Sequence, residues 1–239
     1  MKNALVTGGS GSIGAAICRR LAGDGCHVYI HSNSNRQAAQ TLADSICAEG
    51  GSAEVLVFDV TDSEAVARVL APLLEQHPIQ ILVNNAGIHD DAIFPGMQAA
   101  QWHRVIDVCV NGFFNVTQPL MMPMIRSRWG RIINVSSIAA LTGNKGQVNY
   151  AAAKRALNSA TKSLALEVAS RGITVNAVAP GIIDTPMSES AFDAQDIARM
   201  VPMKRAGSPD EVADLIGFLA SDKAAYITGQ IISINGGII

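Results

Sequence analysis

The chain has 239 residues, 49% hydrophobic and 16% charged, with a formal net charge of −2. That length suffices to bury one large core, and the charge balance gives no global attraction for nucleic acid or an anionic membrane. Apolar runs such as EVLVFDV and IQILVNNAG are too short to span a bilayer.

The first predicted strand, NALVTG, begins almost at the first residue, so no secretory signal is expected. It leads into VTGGSGSIGAAIC, and helical periodicity follows over Ile13–Leu21. Gly9, Gly11 and Gly14 have the spacing G-x-G-x-x-G. Glycines between a strand and a helix permit a tight turn and let backbone N–H groups approach a pyrophosphate, so a dinucleotide is expected. The second strand, CHVYIH, ends in HSNSNR. No Asp or Glu lies between Gly25 and Ala43, where an NAD site places a carboxylate against the ribose hydroxyl. Ser32, Asn33 and Arg36 suit a 2′-phosphate instead, which favours NADPH over NADH; the plainer alternative is three solvated loop residues.

The third strand, AEVLVFDV, ends at Asp59, which suits either an adenine amino group or a turn. Thr61 and Glu64 read as a capping box before a helix over Ser63–Leu74. The fourth strand, IQILVNNAG, ends in Asn84, Asn85, Ala86 and Gly87, a small polar turn against which a flat ring can lie. The fifth, GRIINVSS, presents the hydroxyls of Ser136 and Ser137. In the helical stretch Tyr150–Ala169, Tyr150 and Lys154 fall one turn apart on the same face. The sixth strand, TVNAVAPG, is broken by Pro180 and Gly181, with Thr185 just beyond. Ser208, Pro209, Asp210 and Glu211 carry a helix start signal, and QIISING is the last strand. Cys18, Cys26, Cys47 and Cys109 show no metal-ligand spacing, so free thiols in a reducing cytoplasm and no metal are expected.

Strands that are apolar throughout, alternating with helical segments, predict an α/β fold: one domain over 1–239, an open doubly wound parallel sheet of about seven strands with helices on both faces. Ligands in such sheets bind outside the carboxyl ends of the strands, where the polar residues above fall.

Over essentially its whole length the sequence resembles the short-chain dehydrogenase/reductase family. The resemblance is carried by NNAG at 84–87, Ser137 thirteen residues before Tyr150, Y-x-x-x-K at Tyr150 and Lys154, Asn111 in VCVNGFFNVTQ, and Pro180-Gly181. It implies a Rossmann-like fold, a nicotinamide cofactor and a catalytic tetrad of Asn111, Ser137, Tyr150 and Lys154. Tyr150 would donate the proton, Ser137 orient the substrate oxygen, Lys154 favour the phenolate and hold the nicotinamide ribose, and Asn111 hold a relay water. The implied cofactor contacts are Gly8, Gly9, Ser10, Gly11, Ser12, Ile13, Gly14, Ser32, Asn33, Arg36, Asp59, Val60, Asn85, Ala86, Gly87, Tyr150, Lys154, Pro180, Gly181, Ile183 and Thr185. The family loop is T-G-x-x-x-G-x-G; Thr7, Gly8 and Gly14 match it, whereas Ser12 stands at its middle glycine and Gly11 where NADP-dependent members often carry arginine. Either the loop shifts register to use Gly11, or Ser12 fits with its side chain turned away.

Within the family, GRIINVSS, GQVNYAAAKRAL, EVASRGITVNAVAPG, ITGQ and NGG look most like the β-ketoacyl-acyl-carrier-protein reductases. That implies NADPH-dependent reduction of a 3-oxoacyl thioester on an acyl carrier protein, in fatty-acid or polyketide/polyene-type synthesis. Arg128 and Arg171 match carrier-docking positions, or else they are cations at helix C-termini. GIHDDAIFPGM departs from the threonine-arginine-aspartate often found after NNAGI, and PMSESAFDAQDIARM occupies the substrate-lid position. Family members often form homotetramers through the helices that hold Asn111 and Tyr150. The alternatives are an NAD(P)-dependent dehydrogenase of a small alcohol, sugar or sterol, and a catalytically silent nucleotide-binding regulator.

Overall fold

Along each strand successive side chains point to opposite faces of the sheet. Leu5 therefore packs in one apolar cluster with Tyr29, Leu82, Ile132 and Val175, while Ala4 and Val6 pack in another with Val28, Ile30 and Ile81. Both faces need helices, and the crossovers supply them. The computed structural model describes residues 1–186 and 193–239. Its strands are β1 (Asn3–Val6), β2 (His27–Ser32), β3 (Ser52–Val57), β4 (Ile81–Asn84), β5 (Gly130–Val135), β6 (Ile173–Pro180) and β7 (Ile231–Ile234). They form one sheet in the order β3-β2-β1-β4-β5-β6-β7, parallel throughout, as expected.

Helices α1 (Ser12–Gly23), α2 (Arg36–Ala48) and α9 (Pro209–Ala220) cover the first face. Helices α3 (Ser63–Gln76), α5 (Gly112–Ser127) and α7 (Val148–Val168) cover the second. Shorter helices are α4 (Ala99–Ile106), α6 (Ala139–Thr142) and α8 (Ala194–Met200). Among the described residues no helix is long and apolar enough to cross a membrane.

Two helix starts test the capping signals. Ser208 caps α9 as expected, its hydroxyl accepting from Glu211 N–H while the Glu211 carboxylate accepts from Ser208 N–H. At α3 the cap is Asp62 rather than Thr61. Asp62 Oδ1 accepts from the N–H groups of Glu64 and Ala65 at 3.0 and 2.9 Å. Thr61 is drawn away because its N–H and hydroxyl both donate to Asp59 Oδ1, at 2.8 Å each.

The chain reverses direction across the sheet between β1 and β4, which creates the crevice where ligands bind in open α/β folds. Val6 is level with Ile30 on one side and Val83 on the other, so the glycine loop, the HSNSNR turn and the NNAG turn emerge side by side. Of the segment in the substrate-lid position, residues 187–192 lie outside the described residues.

Candidate active site

The glycine loop between β1 and α1 closes on itself at Gly14. A Cβ at Gly14 would lie 2.2 Å from the Gly8 carbonyl oxygen and 2.8 Å from Gly9 Cα. Gly8 adopts φ +62°, the left-handed region that glycine enters without penalty. Gly11 has φ −79° and ψ 168° as the residue before α1, and a Cβ there would meet only the Gly8 carbonyl at 3.5 Å. The register is thus that of Gly8 and Gly14, with Ser12 exposed as the first residue of α1. The G-x-G-x-x-G spacing had pointed to Gly9 and Gly11, because spacing alone does not distinguish a turn glycine from its neighbour.

The loop is tied to the NNAG turn by side chains from both. Thr7 Oγ1 accepts from the N–H groups of Asn85 and Ala86, each at 3.0 Å. Asn85 Nδ2 donates to the carbonyls of Thr7 and Gly8, again at 3.0 Å. Asn84 turns the other way: its Nδ2 donates to Thr117 Oγ1 and Asn134 Oδ1, and Asn134 Nδ2 donates in turn to Thr161 Oγ1. This buried chain of amides and hydroxyls joins β4, β5, α5 and α7 beneath the site.

A cleft of about 740 Å³ opens above these turns. The predicted residues Gly8, Gly11, Ser12, Ile13, Gly14, Asn85, Ala86, Gly87, Ser137, Tyr150, Lys154, Pro180, Gly181, Ile183 and Thr185 line it. The glycine cradle and the small NNAG turn have the shape a dinucleotide requires, since a side chain at Gly14 would fill it. Asp59 keeps its Oδ2 out of the Thr61 contacts. Ser32 is buried, its hydroxyl accepting from Ser10 Oγ at 3.3 Å, whereas Asn33 and Arg36 stand exposed beyond it. Val60 is buried in the core, its carbonyl accepting from Asn115 Nδ2, so its side chain does not reach the cleft.

At the far end of the cleft α7 delivers Tyr150 and Lys154. Lys154 is only 3% exposed, its ammonium donates to the Val135 carbonyl at 2.8 Å, and it lies 5.7 Å from the centre of the Tyr150 ring. Of the two serines after β5, Ser136 is buried and donates to the Lys154 carbonyl, while Ser137 faces the cleft and accepts from Ala139 N–H. Cleft-facing residues that the sequence did not single out include His89, Asp91 and Gln147. Asp91 accepts from Gln147 Nε2 at 2.8 Å and pairs with His89 Nδ1 at 3.2 Å, fastening the loop after β4 to the start of α7.

Asn111 does not join this group. Its side chain is exposed and donates to Asp107 Oδ1 at 2.7 Å. The residue of that segment that turns inward is Cys109, 2% exposed and packed with Val105, Ala153, Ile88 and Tyr150. Its Sγ and Lys154 Nζ flank the same point above Gly87, 3.6 and 3.0 Å from where a Cβ there would sit. Residues two apart on a helical turn face different ways. The segment Asp107–Asn111 is moreover a wide π turn, which the sequence does not announce. Asn111→Ala is therefore expected to leave both turnover and cofactor affinity within about twofold of wild type, because an exposed side chain away from special features contributes little. A loss of ten-fold or more with the fold intact would return Asn111 to the site.

Arg128 and Arg171 precede β5 and β6, at the amino ends of strands whose carboxyl ends carry Ser137 and Pro180. Six residues of strand separate the two edges by roughly 20 Å. Within one chain these arginines do not flank the cleft, and Arg128 Nη2 instead donates to the Ser170 carbonyl at 3.1 Å.

Comparison with known proteins places the chain among related sequences. The family model described as enoyl-(acyl carrier protein) reductase matches residues 8–239. A 3-oxoacyl-acyl-carrier-protein reductase of Aggregatibacter actinomycetemcomitans is 43% identical over 98% of both chains. Nodulation protein G of Azospirillum brasilense is 44% identical over 99% of this chain and 98% of its own. An acetoacetyl-CoA reductase of Allochromatium vinosum is 43% identical over 98% of this chain and 97% of its own.

Proposed function

The chain belongs to the short-chain dehydrogenase/reductase family, and from that premise we propose that it is a cytoplasmic, NADPH-dependent reductase of 3-oxoacyl thioesters carried on an acyl carrier protein. The observation that carries this reading is the convergence of Ser137, Tyr150 and Lys154 at one end of a cleft whose other end is the glycine cradle. The nicotinamide, when bound, supplies the hydride. The chain supplies the rest. Ser137 hydrogen-bonds the ketone oxygen where negative charge develops. Tyr150 passes its phenolic proton to that oxygen as the alcohol forms. The Lys154 ammonium, fixed by the Val135 carbonyl, stabilises the phenolate left behind until solvent reprotonates it.

NADPH is favoured over NADH by the end of β2. Among the described residues no carboxylate pairs with Arg36, and neither Ser32 nor Asn33 would repel a phosphate. The thioester reading is supported by two of the relatives above, whose names specify a 3-oxoacyl and an acetoacetyl substrate. Self-association is proposed on the outer faces of α5 and α7, where Phe114, Met122 and Leu166 are exposed. A two-fold pairing of those helices is isologous and, where the axes run antiparallel, sets the amino edge of one sheet beside the carboxyl edge of the other. Arg128 and Arg171 would serve carrier docking in that arrangement.

Steady-state assays with acetoacetyl and longer 3-oxoacyl thioesters, on carrier protein and on coenzyme A, with NADPH and NADH, test the proposal. Turnover of thioesters with NADPH preferred is expected. Turnover only of free alcohols with NAD⁺ would establish the small-alcohol dehydrogenase instead, and binding without turnover of any ketone would establish a silent regulator.

A further inference from the structure

His31 is the fifth residue of β2 and 1% exposed, with its ring 4.1 Å from that of Phe58. The ring is committed at both nitrogens. Nδ1 accepts from Gly8 N–H at 3.0 Å, so the proton resides on Nε2, which donates to the Phe58 carbonyl at 2.8 Å. The backbone carbonyl of the same residue accepts from Gly9 N–H at 2.8 Å. One residue of β2 thus holds the first two amides of the glycine loop and the carbonyl that precedes Asp59. A neutral imidazole has one donor and one acceptor, and this site uses both; an imidazolium has two donors and would set N–H against N–H at Gly8.

We infer that His31 is a positioning residue for the dinucleotide. As the neutral Nε2–H tautomer it sets the first turn of the glycine loop and ties that loop to the strand end bearing Asp59, and protonation of the ring releases the loop. This rests on the reading of the glycine loop as a nicotinamide-dinucleotide site. The groups that face the ring agree with it. Burial holds the imidazole below the ordinary histidine range, against the smaller opposing pull of the Phe58 carbonyl and the Asp59 carboxylate. Cys18, on α1 beneath Gly9, is itself pushed up by burial and stays a neutral thiol. Ser10 and Ser32, on the loop and on β2, do not titrate. The sign follows: the ring is neutral and the loop held at neutral pH, and affinity is lost only as pH falls through the lowered folded-state value of the imidazole, below the ordinary histidine range.

The test is the dissociation constant of NADPH and of NADH, read by fluorescence from about pH 4 to 8, for wild type, His31→Asn and His31→Phe. Asparagine offers an acceptor near the Nδ1 position and does not titrate; phenylalanine keeps the ring stacked on Phe58 and removes the acceptor. Wild-type affinity for NADH is expected to fall as pH drops below the ordinary histidine range, with His31→Asn flat over the same range, and His31→Phe to be weakened at least about tenfold throughout. The NADH arm matters because the 2′-phosphate of NADPH titrates near pH 6 by itself. Turnover at saturating cofactor should move by less than about twofold in both variants while the cofactor KM rises, a split that general destabilisation does not produce. A flat wild-type curve for NADH, an equally steep curve for His31→Asn, or wild-type affinity in His31→Phe at pH 7.5 would each overturn the proposal. If His31→Phe fails to fold, the first two comparisons decide. If wild type binds neither dinucleotide at any pH, the dinucleotide reading falls and the proposal with it.

Discussion

Tyr150→Phe is expected to lower turnover of 3-oxoacyl thioesters by about 10²–10⁴-fold, the usual worth of a positioned general acid, while cofactor affinity changes by no more than a few-fold. The substitution removes one oxygen atom. That oxygen makes no hydrogen bond to another described residue, so no buried partner is orphaned by its loss. The ring keeps its packing against Val105, Cys109 and Ala153, and the fold should be unaffected. The loss should appear in kcat and kcat/KM together, because the phenolic proton moves only as the alkoxide forms. Lys154 would still be anchored to the Val135 carbonyl and Ser137 would still face the cleft. A variant that retained a tenth or more of wild-type turnover would show that another group supplies the proton.

Gly14→Ala is expected to weaken binding of NADPH by at least about a hundredfold and to lower the melting temperature, whereas Gly11→Ala should bind within a few-fold of wild type. Gly11 immediately precedes α1 and Gly14 lies in its first turn, and the two look interchangeable in the sequence. At Gly14 the added methyl would meet backbone on two sides, the Gly8 carbonyl at 2.2 Å and Gly9 Cα at 2.8 Å, with Asn85 Nδ2 at 3.0 Å on a third. Backbone cannot swing aside as the tip of a side chain can. Either α1 moves outward or the loop opens, and both spoil the cradle. Overpacking of this kind costs about 1–3 kcal/mol, which in a domain of this size lowers the melting temperature by about 2–4 °C per kcal/mol. At Gly11 the nearest atom is the Gly8 carbonyl at 3.5 Å, an ordinary contact, and φ is −79°, which alanine adopts freely. Melting curves and fluorescence titrations of the two variants check the contrast; equal behaviour would mean that the cradle does not bind the phosphates.

Order along the chain was legible because it rests on local signals. Apolar runs of strand length, helical periodicity between them and a strong cap at Ser208 each report on a few neighbouring residues, and all belong to one α/β pattern. The Tyr150–Lys154 pair was legible for the same reason, since both residues lie on one turn of one helix. The cap of α3 was misread because Thr61 and Asp62 are both good caps, and the choice between them depends on Asp59 claiming the threonine.

Tertiary structure alone decided the rest. Whether Cys109 or Asn111 faces Lys154 depends on the phase of a π turn, and no local pattern encodes that phase. Arg128 and Arg171 look like site residues in a linear alignment, yet their side of the sheet follows from strand direction. His31 reads as one more residue of an apolar strand; its role arises only when β1, β2 and β3 align in parallel and set Gly8 on one nitrogen and Phe58 on the other. The residue types and spacings were sufficient to specify which chemistry the chain carries. Which side chains meet depends on contacts between residues far apart in sequence, and those exist only once the sheet has formed.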